Sequence, residues 1–227
     1  MASVKIISIG AMAANPDWGE KEPVRTGHAT TTLIETDSKR ILIDPGLPSS
    51  IIAARLSERA DMAPADITHV FLTSFHPEAR RGIEAFDGAD WLISEAEREA
   101  IGVPMAQSFK LAVERGHEEQ AEALKEDIAV LQRFEPAEDS LDDGVDLFPL
   151  PGVTPGLCGL LVSTGTYTTL VCGDAIPTAY TLENGTVHRG ALDIEQARES
   201  FKEAIEIADV LVLGRDNLVV NPVRGPF

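Results

Sequence analysis

The sequence predicts an α/β (α+β) protein in which two mixed β-sheets pack face to face between outer layers of helices. The chain contains two blocks of apolar strand segments, and helical segments follow each block. Residues 67–73 form a continuous apolar run rich in branched side chains, which is typical of a strand buried on both faces. The 227 residues are enough for one large core, and we expect residues 1–227 to form a single domain.

The first block of strands opens the chain. Its predicted strands are residues 4–10, 30–36, 40–44, 67–73 and 91–93. Residues 4–10 are expected to be a strand rather than part of a signal peptide, since no cationic segment precedes a long apolar stretch. The polar link Asp37-Ser38-Lys39 predicts a hairpin between the second and third strands. A helix is expected over residues 50–60, after the turn that begins at Asp44.

A charged helical segment is expected in the middle of the chain. Ser94 and Glu97 predict a capping box for a helix that follows the strand at 91–93. Residues 104–134 have helical character, with an apolar stripe that faces either the domain or a second copy of the chain. The stripe consists of Ala121, Leu124, Ile128 and Leu131. We regard residues 104–140 as a helical insertion into the domain.

The second block of predicted strands follows the charged helical segment. Its predicted strands are residues 145–150, 159–163, 168–172 and 209–213. Asp193 is expected to cap a last helix whose apolar face includes Ala197 and Phe201. Residues 221–227 are expected to be a loose tail.

Charge and cysteine content restrict the classes of partner and location. The chain has 19 basic and 37 acidic residues, a formal net charge of −18, which repels nucleic acids and anionic membranes. No apolar run approaches the roughly 20 residues that span a bilayer. The two cysteines, Cys158 and Cys172, form no disulfide framework and suit a reducing cytoplasm. We therefore expect a cytoplasmic protein whose partner is a small molecule or a protein, with a homodimer as the expected assembly.

Polar residues cluster at the predicted strand ends, where functional residues of such folds tend to lie. The segments are residues 67–86, 149–159, 170–176 and 211–217. Together with residues 27–46, their order and context resemble the metallo-β-lactamase superfamily. This resemblance covers most of the chain outside residues 104–140, and it implies the αββα sandwich of that family and a metal-dependent hydrolase site.

The residues at the family's ligand positions differ from the family's pattern. The family motif Thr-His-x-His-x-Asp-His corresponds to Thr73-Ser74-Phe75-His76-Pro77-Glu78-Ala79, so one histidine stands and Glu replaces Asp. In the segment that corresponds to the family's Gly-His-Thr-x-Gly-His, this chain has Val153 and Leu157 where the family has histidines. The bridging aspartate stands as Asp174, and Arg215 replaces the last histidine. The positions that correspond to metal ligands are therefore Ser74, His76, Glu78, Ala79, Val153, Asp174 and Arg215.

This ligand set predicts a degraded metal site. A catalytic zinc normally takes three protein ligands and a water molecule, and each of the two positions would retain only two good donors. We expect no bound metal and assign no catalytic residue. If one zinc, iron or manganese ion is bound, its ligands would be His76, Glu78 and Asp174. Because Arg215 carries a permanent charge and a planar fork of donors, we hypothesise that its guanidinium bridges Asp174, Glu78 or both.

Three functional hypotheses follow from these residues. The first is a pseudoenzyme that keeps the fold and a cleft for a ligand or partner. The second is a hydrolase of esters, thioesters or phosphodiesters with one weakly held metal and a further donor such as Asp216 or a cysteine. The third is metal-free hydrolysis with Ser74 as nucleophile and His76 as base, which requires a hydrogen bond between them.

Several neighbouring residues have simpler structural interpretations. His28 starts a strand that could approach the cleft, and His69 precedes a strand. His117 and His188 are expected to be solvated, and Asp44 to form a turn. Two further arginines, at positions 80 and 81, could join Arg215 in a small anion site, although surface salt bridges are the commoner role.

Overall fold

Two six-stranded sheets form the protein in the computed structural model, which describes residues 2–224. The strands of the first sheet, in spatial order, are β1 (Ser3–Ser8), β2 (Thr31–Glu35), β3 (Arg40–Ile43), β4 (His69–Leu72), β5 (Asp90–Ile93) and β6 (Glu135–Pro136). Those of the second sheet are β7 (Ser140–Asp142), β8 (Val145–Pro149), β9 (Cys158–Ser163), β10 (Thr168–Val171), β11 (Val210–Val212) and β12 (Leu218–Val220), also in spatial order.

Both sheets are mixed, as predicted. In the first sheet, β1, β2 and β3 pair antiparallel, and the pairs from β3 to β6 are parallel. In the second sheet, β10 and β11 are parallel and the remaining pairs are antiparallel. The hairpin of β2 and β3 turns at the predicted polar link, where the Thr36 N–H donates to the Lys39 carbonyl oxygen at 2.9 Å.

Helices cover the outer faces of the two sheets. They are α1 (Ser49–Ala60), α2 (Pro77–Arg80), α3 (Glu95–Glu114), α4 (Glu118–Gln132), α5 (Ala179–Asn184) and α6 (Ile194–Ile207). Asp193 caps α6 as predicted, since its carboxylate accepts a hydrogen bond from the Gln196 N–H at 3.0 Å. Among residues 2–224, the structure contains no helix with the length and apolar character needed to cross a membrane.

The alternation of side chains along the strands creates three apolar layers. In β4, Val70 and Leu72 face the helices α1 and α4, whereas Phe71 points between the sheets. In β9, Leu160 likewise points between the sheets and Leu161 lies against the outer cluster beneath α5 and α6. The core between the sheets therefore holds the αββα sandwich together, which confirms the predicted fold class.

The helical segment and the C-terminal residues differ from the predictions. The helical region begins at Glu95 and ends at Gln132, so Pro104 lies inside α3 rather than at its start. The strand β6 and Ser140, the first residue of β7, lie within the segment that was expected to be a helical insertion. Sequence patterns also missed α2, α5 and β12, because these elements are too short to show a period. Asn221 is buried, with its Nδ2 donating to two carbonyl oxygens, so the predicted loose tail is wrong there. Residues 225–227 of that tail lie outside the described residues.

Candidate functional site

Loops that leave β4, β8, β10 and β11 meet at one end of the sandwich and surround a cleft of about 470 Å³. The ionisable and hydroxyl-bearing side chains that line it include Ser74, His76, Glu78, Asp174, His188 and Arg215. Apolar contributions come from Met12, Val153 and Leu192. This cleft lies where the sequence predicted a functional site, and it brings together residues as far apart in the sequence as Met12 and Arg215.

Arg215 joins the two carboxylates of the cleft. Its Nε and Nη2 atoms donate to the two Asp174 carboxylate oxygens, each at 2.7 Å, which is a bidentate pair. Its Nη1 atom donates to Glu78 Oε2. The residue is only 7% exposed, so this triad is largely withdrawn from water. The hypothesis that the Arg215 guanidinium bridges both carboxylates is therefore confirmed.

The triad determines the charge states of its members. Burial raises the pKa of Asp174, but the charge and hydrogen bonds of Arg215 outweigh this effect and bring that pKa below its usual value. Burial lowers the pKa of Arg215, and the facing carboxylates of Asp174 and Glu78 more than reverse it. Asp174 and Arg215 are thus ionised near neutral pH. Burial and the nearby guanidinium lower the pKa of His76, which keeps its ring neutral at that pH.

Asp44 fixes the start of the loop after β4. Its carboxylate accepts from the Thr73 N–H at 2.9 Å and from the Thr73 hydroxyl at 2.7 Å. Complete burial raises the pKa of Asp44 to about 7. Its backbone has a φ of 49°, a left-handed conformation that aspartate tolerates better than most residues. Asp44 therefore does more than form a turn, because it connects β3 to the loop that carries Ser74 and His76.

Glu97 fixes the same loop from the side of α3. Its Oε1 accepts from the Phe75 N–H at 3.0 Å, and its Oε2 accepts from the Thr154 hydroxyl at 2.6 Å. The Gly156 N–H also donates to this carboxylate. The side chain is fully buried. Glu97 thus holds together two of the loops that surround the cleft.

Two histidines face the cleft with one ring nitrogen already engaged. His76 caps α2, and its Nδ1 accepts from the Glu78 N–H at 3.2 Å. His188 Nδ1 accepts from the Gly190 N–H at 3.0 Å. His188 lines the cleft, a position that the expectation of a solvated side chain did not include. The sequence around it, in a loop after α5 with no strand or motif beside it, gave no signal for this position.

Comparison with known proteins identifies the family. Residues 24–214 match the model of the metallo-beta-lactamase superfamily, which is most of the chain. The chain belongs to the metallo-β-lactamase superfamily. Two curated relatives, both named "probable metallo-hydrolase", come from Mycobacterium bovis and Mycobacterium tuberculosis. Each is 30% identical over 189 residues, covering 71% of this chain. The match spans only 57% of the length of each relative.

Solved structures show the same superfamily fold at low sequence identity. A "probable metal-dependent hydrolase" of Staphylococcus aureus has a TM-score of 0.71 at 14% identity, covering 96% of this chain and 92% of its own. AidC, a dizinc quorum-quenching lactonase in complex with a product, has a TM-score of 0.65 at 20% identity, covering 85% of this chain and 74% of its own. Sequence identities this low show that the fold is shared, but they do not show that the activity is shared.

The superfamily's ligand positions fall into two groups in this chain. Ser74, His76, Glu78, Val153, Asp174 and Arg215 line the cleft. Ala79 and Leu157 are instead part of the apolar core, with exposures of 2% and 1%. The apolar replacements thus belong to core packing at these two positions, and only Val153 remains at the cleft.

The residues present do not fit the superfamily's pair of zinc ions. Both carboxylates that could serve as ligands are taken up by the Arg215 guanidinium, whose fixed positive charge would repel a metal ion. Within residues 2–224, no three His, Cys, Asp or Glu side chains are grouped so that they could hold a metal ion.

The two alternative hydrolase functions each need a further contact at the cleft, and the described residues do not provide it. Asp216 accepts from the N–H groups of Ala179 and Asn217 and does not line the cleft, and Cys158 and Cys172 are buried in the core. Within the described residues Ser74 and His76 share no hydrogen bond, so the proposed nucleophile and base are not paired.

The two neighbouring arginines do not join Arg215 in a small anion site within the described cleft, and Arg80 instead forms a salt bridge, the role that the sequence favoured. Arg80 forms a salt bridge with Asp127 of α4, and its guanidinium stacks over Phe75 at 4.3 Å. Arg81 donates to the Gly27 carbonyl oxygen at 3.0 Å. Both arginines serve to attach the short helix α2 to its surroundings, so Arg215 lines the cleft without them.

Proposed function

We propose that this member of the metallo-β-lactamase superfamily is a pseudoenzyme for two-metal hydrolysis, and that its cleft binds a small molecule without a metal ion. The observation that carries the proposal is the pairing of Arg215 with both Asp174 and Glu78. The guanidinium supplies the positive charge that two carboxylates in a buried site require. A small molecule is favoured over a protein as the ligand because the site is a concave cleft whose walls combine polar and apolar side chains.

The names of the relatives favour the alternative of a metal-dependent hydrolase. The curated relatives are named metallo-hydrolases, and AidC is a dizinc lactonase. If this chain held metals as such proteins do, Arg215 would have to leave both carboxylates. Metal content therefore separates the proposal from the alternative of an active hydrolase with one metal on His76, Glu78 and Asp174.

The test is metal analysis by plasma mass spectrometry on protein purified without an affinity tag or chelator. We expect well below one metal ion per chain for the natural sequence. The variant Arg215→His removes the competing charge and adds a donor, so it should retain more zinc after equilibration with the metal. Arg55→His is the matched control, because Arg55 lies on the exposed face of α1 and pairs with Glu58. A full equivalent of zinc, iron or manganese in the natural protein, together with a hydrolase activity lost to a chelator, would overturn the proposal.

A further inference from the structure

The hydrogen bonds of the two cleft histidines determine which ring nitrogen carries the proton. A nitrogen that accepts a hydrogen bond holds no proton, so the neutral ring must be protonated on the other nitrogen. His76 and His188 both use Nδ1 as an acceptor for a backbone N–H. Each ring therefore carries its proton on Nε2. In the described structure neither Nε2 makes a hydrogen bond, so both remain available as donors.

The Ser74 hydroxyl is a third group at the cleft that can still form a hydrogen bond. Its side chain lines the cleft although the residue is only 3% exposed. Among residues 2–224 its hydroxyl has no hydrogen-bond partner. A hydroxyl that lines the cleft without a protein partner can donate a hydrogen bond to a ligand or water. Three polar groups that can each donate a hydrogen bond thus line one cleft.

The charge of the cleft limits which ligands can bind to these hydrogen-bond donors. Asp174 and Glu78 together carry two negative charges, and Arg215 balances only one of them. An anionic ligand such as a carboxylate or phosphate would be repelled, and the chain as a whole has a net charge of −18. The suitable partner for the donors is therefore an uncharged acceptor, and the side chains of Met12, Val153 and Leu192 offer it apolar contact.

We propose that the cleft binds an uncharged molecule through a carbonyl oxygen, using the Nε2–H groups of His76 and His188 and the Ser74 hydroxyl. The apolar remainder of the ligand lies against Met12, Val153 and Leu192. This inference rests on the proposed function, since a metal ion in the cleft would require the histidine rings as unprotonated ligands.

The first test determines the tautomers directly. Long-range ¹⁵N–¹H spectra of protein labelled at histidine, recorded near pH 8 so that the rings are neutral, distinguish an Nε2–H ring from an Nδ1–H ring. We expect two Nε2–H patterns that disappear in His76→Gln and His188→Gln, respectively. Nδ1–H patterns at these two positions would overturn the inference.

The second test compares three probes that share one alkyl chain and differ in the head group: hexanamide, hexanoate and hexylamine. We expect hexanamide to bind most tightly and to shift the Nε2–H signals of both histidines. Ser74→Ala and His188→Leu should each weaken hexanamide binding by about three- to tenfold, as for one lost hydrogen bond. His188→Gln keeps a donor near the Nε2 position and should bind more tightly than His188→Leu. His117→Gln is the control, because His117 precedes α4 outside the cleft.

The outcomes separate this inference from the proposed function. Equal binding of the three probes, or tighter binding of hexanoate or hexylamine, would overturn the carbonyl site even if the same sample contains no metal. A metal equivalent in that sample would instead overturn the proposed function. Tight hexanamide binding that is unchanged in Ser74→Ala and His188→Leu would show that another part of the chain holds the ligand, and it would also overturn the inference.

Discussion

The guanidinium of Arg215 and the carboxylate of Asp174 depend on each other for their charge states, and Glu78 is the second carboxylate paired with that guanidinium. The side chains of Arg215 and Asp174 are 6% and 13% exposed, and that of Glu78 is 22% exposed. A buried ion pair of this kind contributes little net stability against apolar replacements, yet removal of one partner leaves a buried charge without compensation. Substitutions in this triad should therefore cost more than the number of lost hydrogen bonds suggests.

Arg215→Met is predicted to destabilise the protein by about 3–5 kcal/mol near neutral pH, because it leaves Asp174 buried without its cation. In the natural protein the pKa of Asp174 is lowered, so its contribution to stability is present above its unfolded pKa and is lost as pH falls through the folded pKa. In the variant, burial alone raises that pKa, so stability declines as pH rises. The difference between the two proteins, measured by urea unfolding, should be smaller near pH 5 than near pH 8.

The control for this prediction is Asp174→Asn introduced into the Arg215→Met protein, which removes the uncompensated charge and should recover part of the loss. A difference that stays constant between the two pH values would show that packing, rather than charge, sets the cost of the substitution. The two outcomes are readily separated, because a one-unit shift in pKa corresponds to about 1.4 kcal/mol.

Sequence reasoning at the residue scale succeeded where charge alone decides the contact. Arg215 was placed correctly because two carboxylates near a fixed cation leave few alternatives. It left the pairing of Ser74 with His76 open, because the orientation of the His76 ring depends on its position at the N-terminus of α2, a four-residue helix with no readable period. It also missed Asp44 and Glu97, whose roles arise from long-range contacts with backbone N–H groups.

At the scale of elements, the first turn of α3 both begins a helix and supports the cleft. The predicted capping box is half present, since Ser94 Oγ accepts from the Glu97 N–H at 3.1 Å. The Glu97 side chain does not complete the box, because it turns inward to Phe75, Thr154 and Gly156. Sequence spacing specifies the cap, but it cannot show that tertiary contacts offer the carboxylate more hydrogen bonds than its own helix does.

Glu97→Ala is predicted to lower the free energy of unfolding by about 2–4 kcal/mol, because it leaves the buried N–H groups of Phe75 and Gly156 without an acceptor. Glu95→Ala, in the same turn but exposed, is the matched control and should change stability by less than about 0.5 kcal/mol. Hydrogen exchange at the amides of Phe75 and Gly156 measures the local effect, and both should exchange faster in Glu97→Ala. Unchanged protection at these two amides would contradict the assigned role.

At the scale of the whole molecule, a single apolar layer connects the two sheets. Phe71 from β4 and Leu160 from β9 belong to this layer, together with Ile41, Ile43, Val162 and Val212. The fold class could be predicted from the sequence because strand alternation and long apolar runs are local signals. The homodimer, the cytoplasmic location and the exclusion of nucleic acid are properties of surfaces and partners, and they stay predictions. The single domain also stays a prediction, and the shared layer provides a way to test it.

If residues 1–227 form one domain, both sheets should unfold together in urea. Fluorescence of Trp91, in a Trp18→Phe background, reports on the first sheet, because Trp91 is buried in β5 whereas Trp18 is 65% exposed. Reaction of Cys158 and Cys172 with a thiol reagent reports on the second sheet. Burial raises the pKa of Cys158 to about 12 and raises that of Cys172 as well, so neither thiol should react until the sheet opens.

The two probes should give the same urea midpoint, and Phe71→Ala should lower both by the same amount, with a loss of about 3–5 kcal/mol in unfolding free energy. Phe71 is fully buried between the sheets, so its removal weakens the contact that makes their unfolding one event. Thiols that react at a urea concentration where Trp91 is still native would show that the second sheet opens independently. In that case the chain would behave as two units that share an interface, and the cleft between their loops would depend on how those units are joined.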